Sequence, residues 1–389
     1  MGLKHNKVLL GKALLVLVIL LLGGLAISGC VGYGTAPKGW SGGTIANGTL
    51  FLGSMQGKLV ALNASDGARL WEVILETTKP AAGVFGCAPA STSVAIYGTP
   101  AVDGELVYVG GYNGKIYAIS SSLRAIEWKY PRGEDDYLQP LVGGAVVALG
   151  KVYIGASDGK LYALDAATGD KKWAFQTGDK IWSTPAIDGD TLYIGSFDKK
   201  LYALDAITGK EKWGKPFETQ GAIASTPLVY NNTVYIGSFD RHLYAVNATN
   251  GEQIWQFPVE DEVGNKPENW FWAKPVVYDN TIYAGNLDGK LYILNAETGK
   301  EKVDPIDFNS PISSSPVLVD GKIIIASEKG LVYALDTNSN QIKQLANIEE
   351  KIYAPLSASN GAVYVHTDKD GLYAVDAQTG VIRGFHIKG

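Results

Sequence analysis

Residues able to do chemistry are sparse in this sequence, and their spacing argues against a shared site. The histidines are His5, His242, His366 and His386, isolated from one another, so no zinc-ligand spacing exists. Gly155-Ala156-Ser157-Asp158-Gly159 matches a nucleophile-elbow pattern by letter. It lies on a turn between two expected strands rather than between strand and helix, which removes the geometry that exposes such a serine. Aspartates fall one per turn along the chain, as turn chemistry requires, and not in a cluster that could hold calcium. These residues yield no catalytic group, no cofactor-binding group and no metal ligand.

The elements that would position any site come from internal repetition. Gly159-Lys160-Leu161-Tyr162-Ala163-Leu164-Asp165 recurs as Lys199 to Asp205 and as Gly289 to Asn295, with weaker copies elsewhere. Anchoring on Tyr162 gives Val60, Tyr117, Tyr162, Tyr202, Tyr244, Tyr292, Tyr333 and Tyr373, spaced 57, 45, 40, 42, 48, 41 and 40 residues apart. In the best-formed unit, 182–213, strands are expected over 183–187, 191–196, 200–205 and 210–217, separated by turn residues. A four-stranded meander cannot bury both its faces alone, so neighbours must stack on it. Eight such units around an axis make a closed all-β ring, an eight-bladed β-propeller of antiparallel blades.

The end of the repeat carries a resemblance. Asp165-Ala166-Ala167-Thr168-Gly169-Asp170-Lys171-Lys172-Trp173 and Asp205 to Trp213 resemble the tryptophan-docking motif of the pyrroloquinoline-quinone-type propellers; Asn63 to Trp71 and Asn247 to Trp255 are close variants. That repeat is found in the large quinoprotein dehydrogenases and in the BamB family of outer-membrane assembly lipoproteins, and the similarity spans roughly residues 40–389. Four units depart from it. Trp128 stands without the Asp and Thr-Gly, Val303 and Gly384 replace the Trp in units six and eight, and unit seven lacks the segment's end, which leaves ring closure least specified there. The recurring tryptophans read as packing between blades. In the dehydrogenases the resemblance implies a vicinal disulfide over the quinone and a calcium-binding carboxylate cluster; Cys87 has no cysteine neighbour, so no cofactor is expected.

The N-terminus is a different material. Lys4, Lys7 and Lys12 precede or open an apolar run from Ala13 to Leu22, and Ile27-Ser28-Gly29-Cys30 follows. The pattern is an export signal. It resembles the lipobox of prokaryotic lipoproteins, which implies acylation (palmitate among the acyl groups) at Cys30 and anchoring to a bilayer by more than one chain. The expected organisation is a signal peptide over 1–29, a lipidated Cys30 and short tether over 30–39, and a propeller over 40–389. The chain then lies outside the cytoplasm, lipid-anchored to the cell membrane or to the periplasmic side of an outer membrane.

Binding is expected on the face that carries the crossovers between blades, where loops are irregular. The crossovers from Trp71 to Pro100 and from Trp255 to Pro275 are the long ones. The residue three before the opening proline of a blade, or its equivalent, is Trp40, Tyr97, Trp182 and Trp272 in units one, two, four and six, and Val142, Ala224, Ser313 and Ile352 in the others. These should gather at the mouth of the axial channel, as a hydrophobic plug or as a contact site, with Trp270 and Phe271 beside them. The candidate partner-binding set is Trp40, Tyr97, Trp182, Trp270, Phe271 and Trp272. Acidic residues number 39 against 34 basic ones, and no basic run interleaves with aromatics, so no nucleic-acid partner is expected. Three readings follow: a membrane-tethered scaffold binding proteins, an oxidoreductase of the quinoprotein kind, or an extracellular sensor of a ligand or glycan, with the first favoured over an enzyme.

Overall fold

A computed structural model describes residues 41–76, 94–133, 136–259 and 266–385. Cys30, Trp40, Cys87 and the signal segment lie outside the described residues. Each of the eight repeats folds as one antiparallel sheet of four strands paired in chain order. Blades 1 to 8 span 43–74, 101–130, 146–176, 186–218, 228–257, 276–307, 317–347 and 357–385. Every anchor residue, from Val60 to Tyr373, sits in the third strand of its blade.

The second and third strands are buried on both faces, as Lys151–Gly155 and Lys160–Asp165 show, because a blade is covered by a neighbour on each side. Apolar side chains accordingly gather into eight clusters, one between each pair of adjacent blades, the last joining blade 8 to blade 1. First strands of successive blades touch one another in all but the pair from blades 5 and 6, including Ser357–Ser359 with Gly43–Ala46, which places them innermost. The expected first strand of blade 4 is shorter than its sequence suggested, Ala186–Asp188, because the chain runs through Pro185 as irregular backbone near the axis. Its fourth strand shrinks to Phe217–Glu218 with an isolated bridge from Leu204 to Glu211. Pro216 has no N–H to give the ladder at that point.

The fourth strand bulges beside its tryptophan. In blades 1, 2, 3 and 5 the residue paired with Trp71, Trp128, Trp173 or Trp255 is an alanine, and the register slips at the next step. A bulge turns the indole out of its own sheet toward the next blade. There Trp128, Trp173, Trp213 and Trp255 donate their indole N–H to the carbonyls of Ala166, Ala206, Ala248 and Ala296. The hydroxyls of Tyr108, Tyr153, Tyr193 and Tyr235 donate to the same four carbonyls. Each accepting carbonyl thus fills both lone pairs from one neighbour, a satisfied polar lock inside an apolar interface.

The departures from the repeat close by substitution. Blade 8 has Gly384 where Trp is expected, yet Phe385 takes its place: a Cβ on Gly67, at φ +75°, would come within 2.3 Å of that ring. Tyr364 donates to the Ala64 carbonyl at 2.6 Å, repeating the lock across the seam. His366 Nδ1 lies 2.9 Å from the Ser41 carbonyl and Arg383 donates to the Ser65 carbonyl at 3.0 Å. Unit seven keeps the turn as well. Asn340 holds φ at 56° where others use glycine, and Asp336 accepts from the amides of Asn338 and Ser339. In blade 2 Arg124 takes the same backbone position at φ 54°.

Candidate functional site

The segments that lead into the first strands ring an axial well. It has a volume of about 80 Å³, is open to solvent, and is lined by Tyr97, Trp182 and Trp272 together with Val142, Ala224 and Ser313. These residues therefore gather as their position in the repeat implied, and they rim an open well. Blade 8 contributes Tyr353 rather than Ile352. Ile352 is fully buried, in register with Ile96, Leu141, Ile181, Ile223 and Ile312, which pack between blades one residue earlier. Pro355 stands one position earlier in its blade than Pro185 does in blade 4, with Leu356 in the proline's usual place, so counting back from it falls one residue short of Tyr353. Phe271 belongs to that same buried series: it is 1% exposed, and its ring meets Tyr292 edge-on at 5.6 Å. It supports the mouth from beneath and has no surface to offer a partner.

A second ring of residues, from the turns after the second strands, stands outside the first on the same face. Phe197 and Phe239 occupy it in blades 4 and 5, and the sequence reading passed over both. The signal was present: Ser196-Phe197-Asp198 and Ser238-Phe239-Asp240 carry a large apolar residue where Ala156-Ser157-Asp158 has a serine. Trp182 meets Phe197 edge-on at 4.7 Å, Phe197 meets Phe239 at 5.7 Å, and Trp270 stacks on Phe239 at 4.3 Å with 9° between planes. Trp272 lies against the same ring at 5.7 Å. Lys180 Nζ sits 4.5 Å from Trp182 and 4.4 Å from Phe197, a cation held over both faces. Five aromatic rings thus form one continuous ledge across blades 4, 5 and 6. Tyr97 and Tyr112 form a smaller pair on blade 2, centroids 5.2 Å apart, where burial and then the Tyr112 hydroxyl push Tyr97 up to about 12.

The ledge is held in place by backbone. The carbonyl of Trp270 accepts from the amide of Leu287 at 3.1 Å, and Asn286 donates to the Asn269 carbonyl at 2.9 Å. Asp288 accepts from the amide of Glu268 and from the Tyr292 hydroxyl. Asp158, Asp198 and Asp240 each bind the tyrosine four residues on in the same way. At Asp240 burial works to raise the carboxyl, but hydrogen bonds from His242, Tyr244 and the amides of His242 and Gln220 outweigh it and hold the group at about 2. The turn aspartates are therefore braces for the crossover loops.

The Ser157 hydroxyl donates to the Pro140 carbonyl at 2.7 Å and accepts from the Trp182 indole at 3.1 Å, which makes it a support for the ledge. Among the described residues no group of three or more His, Cys, Asp or Glu side chains could hold a metal ion. No helix among them is long and apolar enough to cross a membrane.

A closed ring of eight four-stranded blades with an aromatic axial mouth defines an eight-bladed propeller of the quinoprotein-like type. The family model described as outer membrane protein assembly factor BamB matches residues 32–180 and 173–383, nearly the whole chain, and the chain belongs to that family. Among solved structures it is similar to BamB from Moraxella catarrhalis, with 18% identity, 85% of this chain and 94% of that one covered, and a TM-score of 0.67. It is also similar to the computationally designed Ika8 protein, with 13% identity, 91% and 98% coverage and a TM-score of 0.68. Both likenesses concern the fold. No curated protein sequence matches the chain.

Proposed function

We propose that this protein is a membrane-tethered, extracytoplasmic scaffold that docks protein partners on the aromatic ledge of blades 4 to 6, in the manner of an envelope-assembly module. The observation that carries the reading is Trp270, 40% exposed and stacked flat on Phe239. A large indole left in water on a rigid, backbone-braced platform is the composition of an interface hot spot, and packing within its own blade does not call for it. Membership of a family described as an assembly factor supports a partner that is protein. The absence of a Cys-Cys pair in the sequence supports a scaffold over a quinoprotein oxidoreductase.

The tether rests on Ile27-Ser28-Gly29-Cys30 after the apolar run. Acylation at Cys30 would hold the ring within a short linker's reach of a bilayer and restrict its partners to those at the same surface. Cross-linking from a photoreactive group at the exposed position 268, beside Trp270, in intact envelopes, followed by mass spectrometry, tests the docking face. A defined set of protein adducts, lost on Trp270→Ala and retained on substitution of an exposed residue on the opposite face, Ile207→Ala, is expected. Equal adducts at both positions would remove the ledge from consideration.

A further inference from the structure

Trp71 shares its place in the repeat with Trp128, Trp173, Trp213 and Trp255, yet where those four donate an indole N–H to the next blade, it makes no hydrogen bond among the described residues. Its aromatic partner is in place: Phe51 lies 5.8 Å from the indole, as Tyr108 lies 5.9 Å from that of Trp128. Phe51 lacks the hydroxyl that Tyr108, Tyr153, Tyr193 and Tyr235 donate across their seams. The carbonyl that would receive both bonds belongs to Ser121, whose amide bonds to Glu105 as that of Ala166 bonds to Gly150, and it accepts none. A donor and an acceptor that the repeat pairs elsewhere are left open at the seam between blades 1 and 2. A pocket of about 220 Å³ opens there, lined by Asn47, Thr49, Phe51, Trp71, Val102 and Ser121 among others, none of them charged. It lies between turns that follow first and third strands, on the face opposite the ledge.

We propose that this pocket binds a neutral pyranose sugar, free or at the end of a glycan. A hydroxyl both donates and accepts, so sugar hydroxyls can accept from the Trp71 indole N–H and donate to the Ser121 carbonyl. Asn47, held at φ 48° by its hairpin turn and exposed on the rim, and Thr49 add an amide and a hydroxyl for further contacts. Water can meet the polar groups, but it gives nothing to the Trp71 and Val102 side chains, which the C–H groups of a sugar ring cover. A lining without charge suits a neutral ligand, because an acid or an amine would lose water there without gaining a partner. The volume is below the roughly 300–1,000 Å³ of sites for drug-sized ligands, so it suits a single ring. The pocket shares no residue with the ledge and does not rest on the docking reading.

The test uses the full chain in a detergent without a sugar headgroup, with saturation-transfer NMR and calorimetry as readouts. The probes are the methyl pyranosides of glucose, mannose, galactose and N-acetylglucosamine, each against its open-chain alditol. Saturable binding of at least one glycoside, tenfold or more tighter than its alditol, is expected, a difference of about 1.4 kcal/mol. Phe51→Tyr supplies the missing hydroxyl to the Ser121 carbonyl and should cost that glycoside tenfold or more, while thermal unfolding stays level or rises. Trp71→Phe keeps a ring between the blades, removes the indole N–H, and should weaken binding as well. Retained binding of a disaccharide ending in the same sugar supports a glycan end as the source, and its rejection supports a free sugar. No saturable binding of any glycoside, equal affinity for glycoside and alditol, or unchanged affinity in either folded variant overturns the proposal. Partner capture at the ledge should be the same in Phe51→Tyr, so the two readings fail separately.

Discussion

Two tryptophans of this protein look alike in the sequence and differ in what they do. Trp213 is 4% exposed and its indole donates to the Ala248 carbonyl at 3.0 Å, whereas Trp270 is 40% exposed and lies on a ledge. Trp213→Ala should therefore lower stability by about 3–5 kcal/mol, as large buried truncations do, which denaturant unfolding would read directly. Trp270→Ala should leave stability within about 1 kcal/mol and weaken partner binding by about 2 kcal/mol or more, measured side by side. Asp240 offers a pH signature. Its folded value of about 2 lies below its ordinary 3.8, so it stabilises the fold above pH 3.8, and that contribution is lost as the pH falls through about 2. The expected loss, about 2 kcal/mol between those limits, should vanish from the difference between the unmutated protein and Asp240→Asn when both are unfolded at low pH.

At the scale of the blade, the seam between blades 8 and 1 is the place where the repeat is least regular. Each blade is made of consecutive strands, so side chains rather than a shared sheet join the chain's two ends. Phe385 against Gly67 and Tyr364 on the Ala64 carbonyl repeat, with a smaller ring, what Trp and Tyr do elsewhere. Phe385→Ala should cost about 3 kcal/mol, and amide exchange should rise first in blades 1 and 8. A uniform rise in all blades would show that the ring opens as a whole instead. The sequence marked this seam as a departure because it read Gly384 at the Trp position; only the neighbouring blade shows that the next residue points into the gap.

At the scale of the molecule, a propeller of this kind puts irregular loops on one face, and the proposed function adds a tether at Cys30. Cys30→Ser should abolish acylation and shift the protein from the membrane to the soluble fraction, read by intact-mass spectrometry and fractionation. A Cys30→Ser protein cut at the same bond and still membrane-bound would remove the tether from the proposed function.

The eight repeats, their four strands and the third-strand anchors were legible in the sequence because strand alternation and turn residues are local signals, and repetition multiplied them eightfold. The packing role of Trp173 and Trp213 was legible for the same reason. What a residue meets across the axis was not. Phe197 and Phe239 join Trp182 and Trp270 into one ledge only because neighbouring blades bring separate turns side by side, and Phe271, one residue from an axial position by its letters, turns inward to the core. A repeat specifies each blade's interior from its own strands, whereas a surface shared by three blades depends on how closely the ring seats them. That distance is settled by interblade packing, which no single stretch of sequence contains.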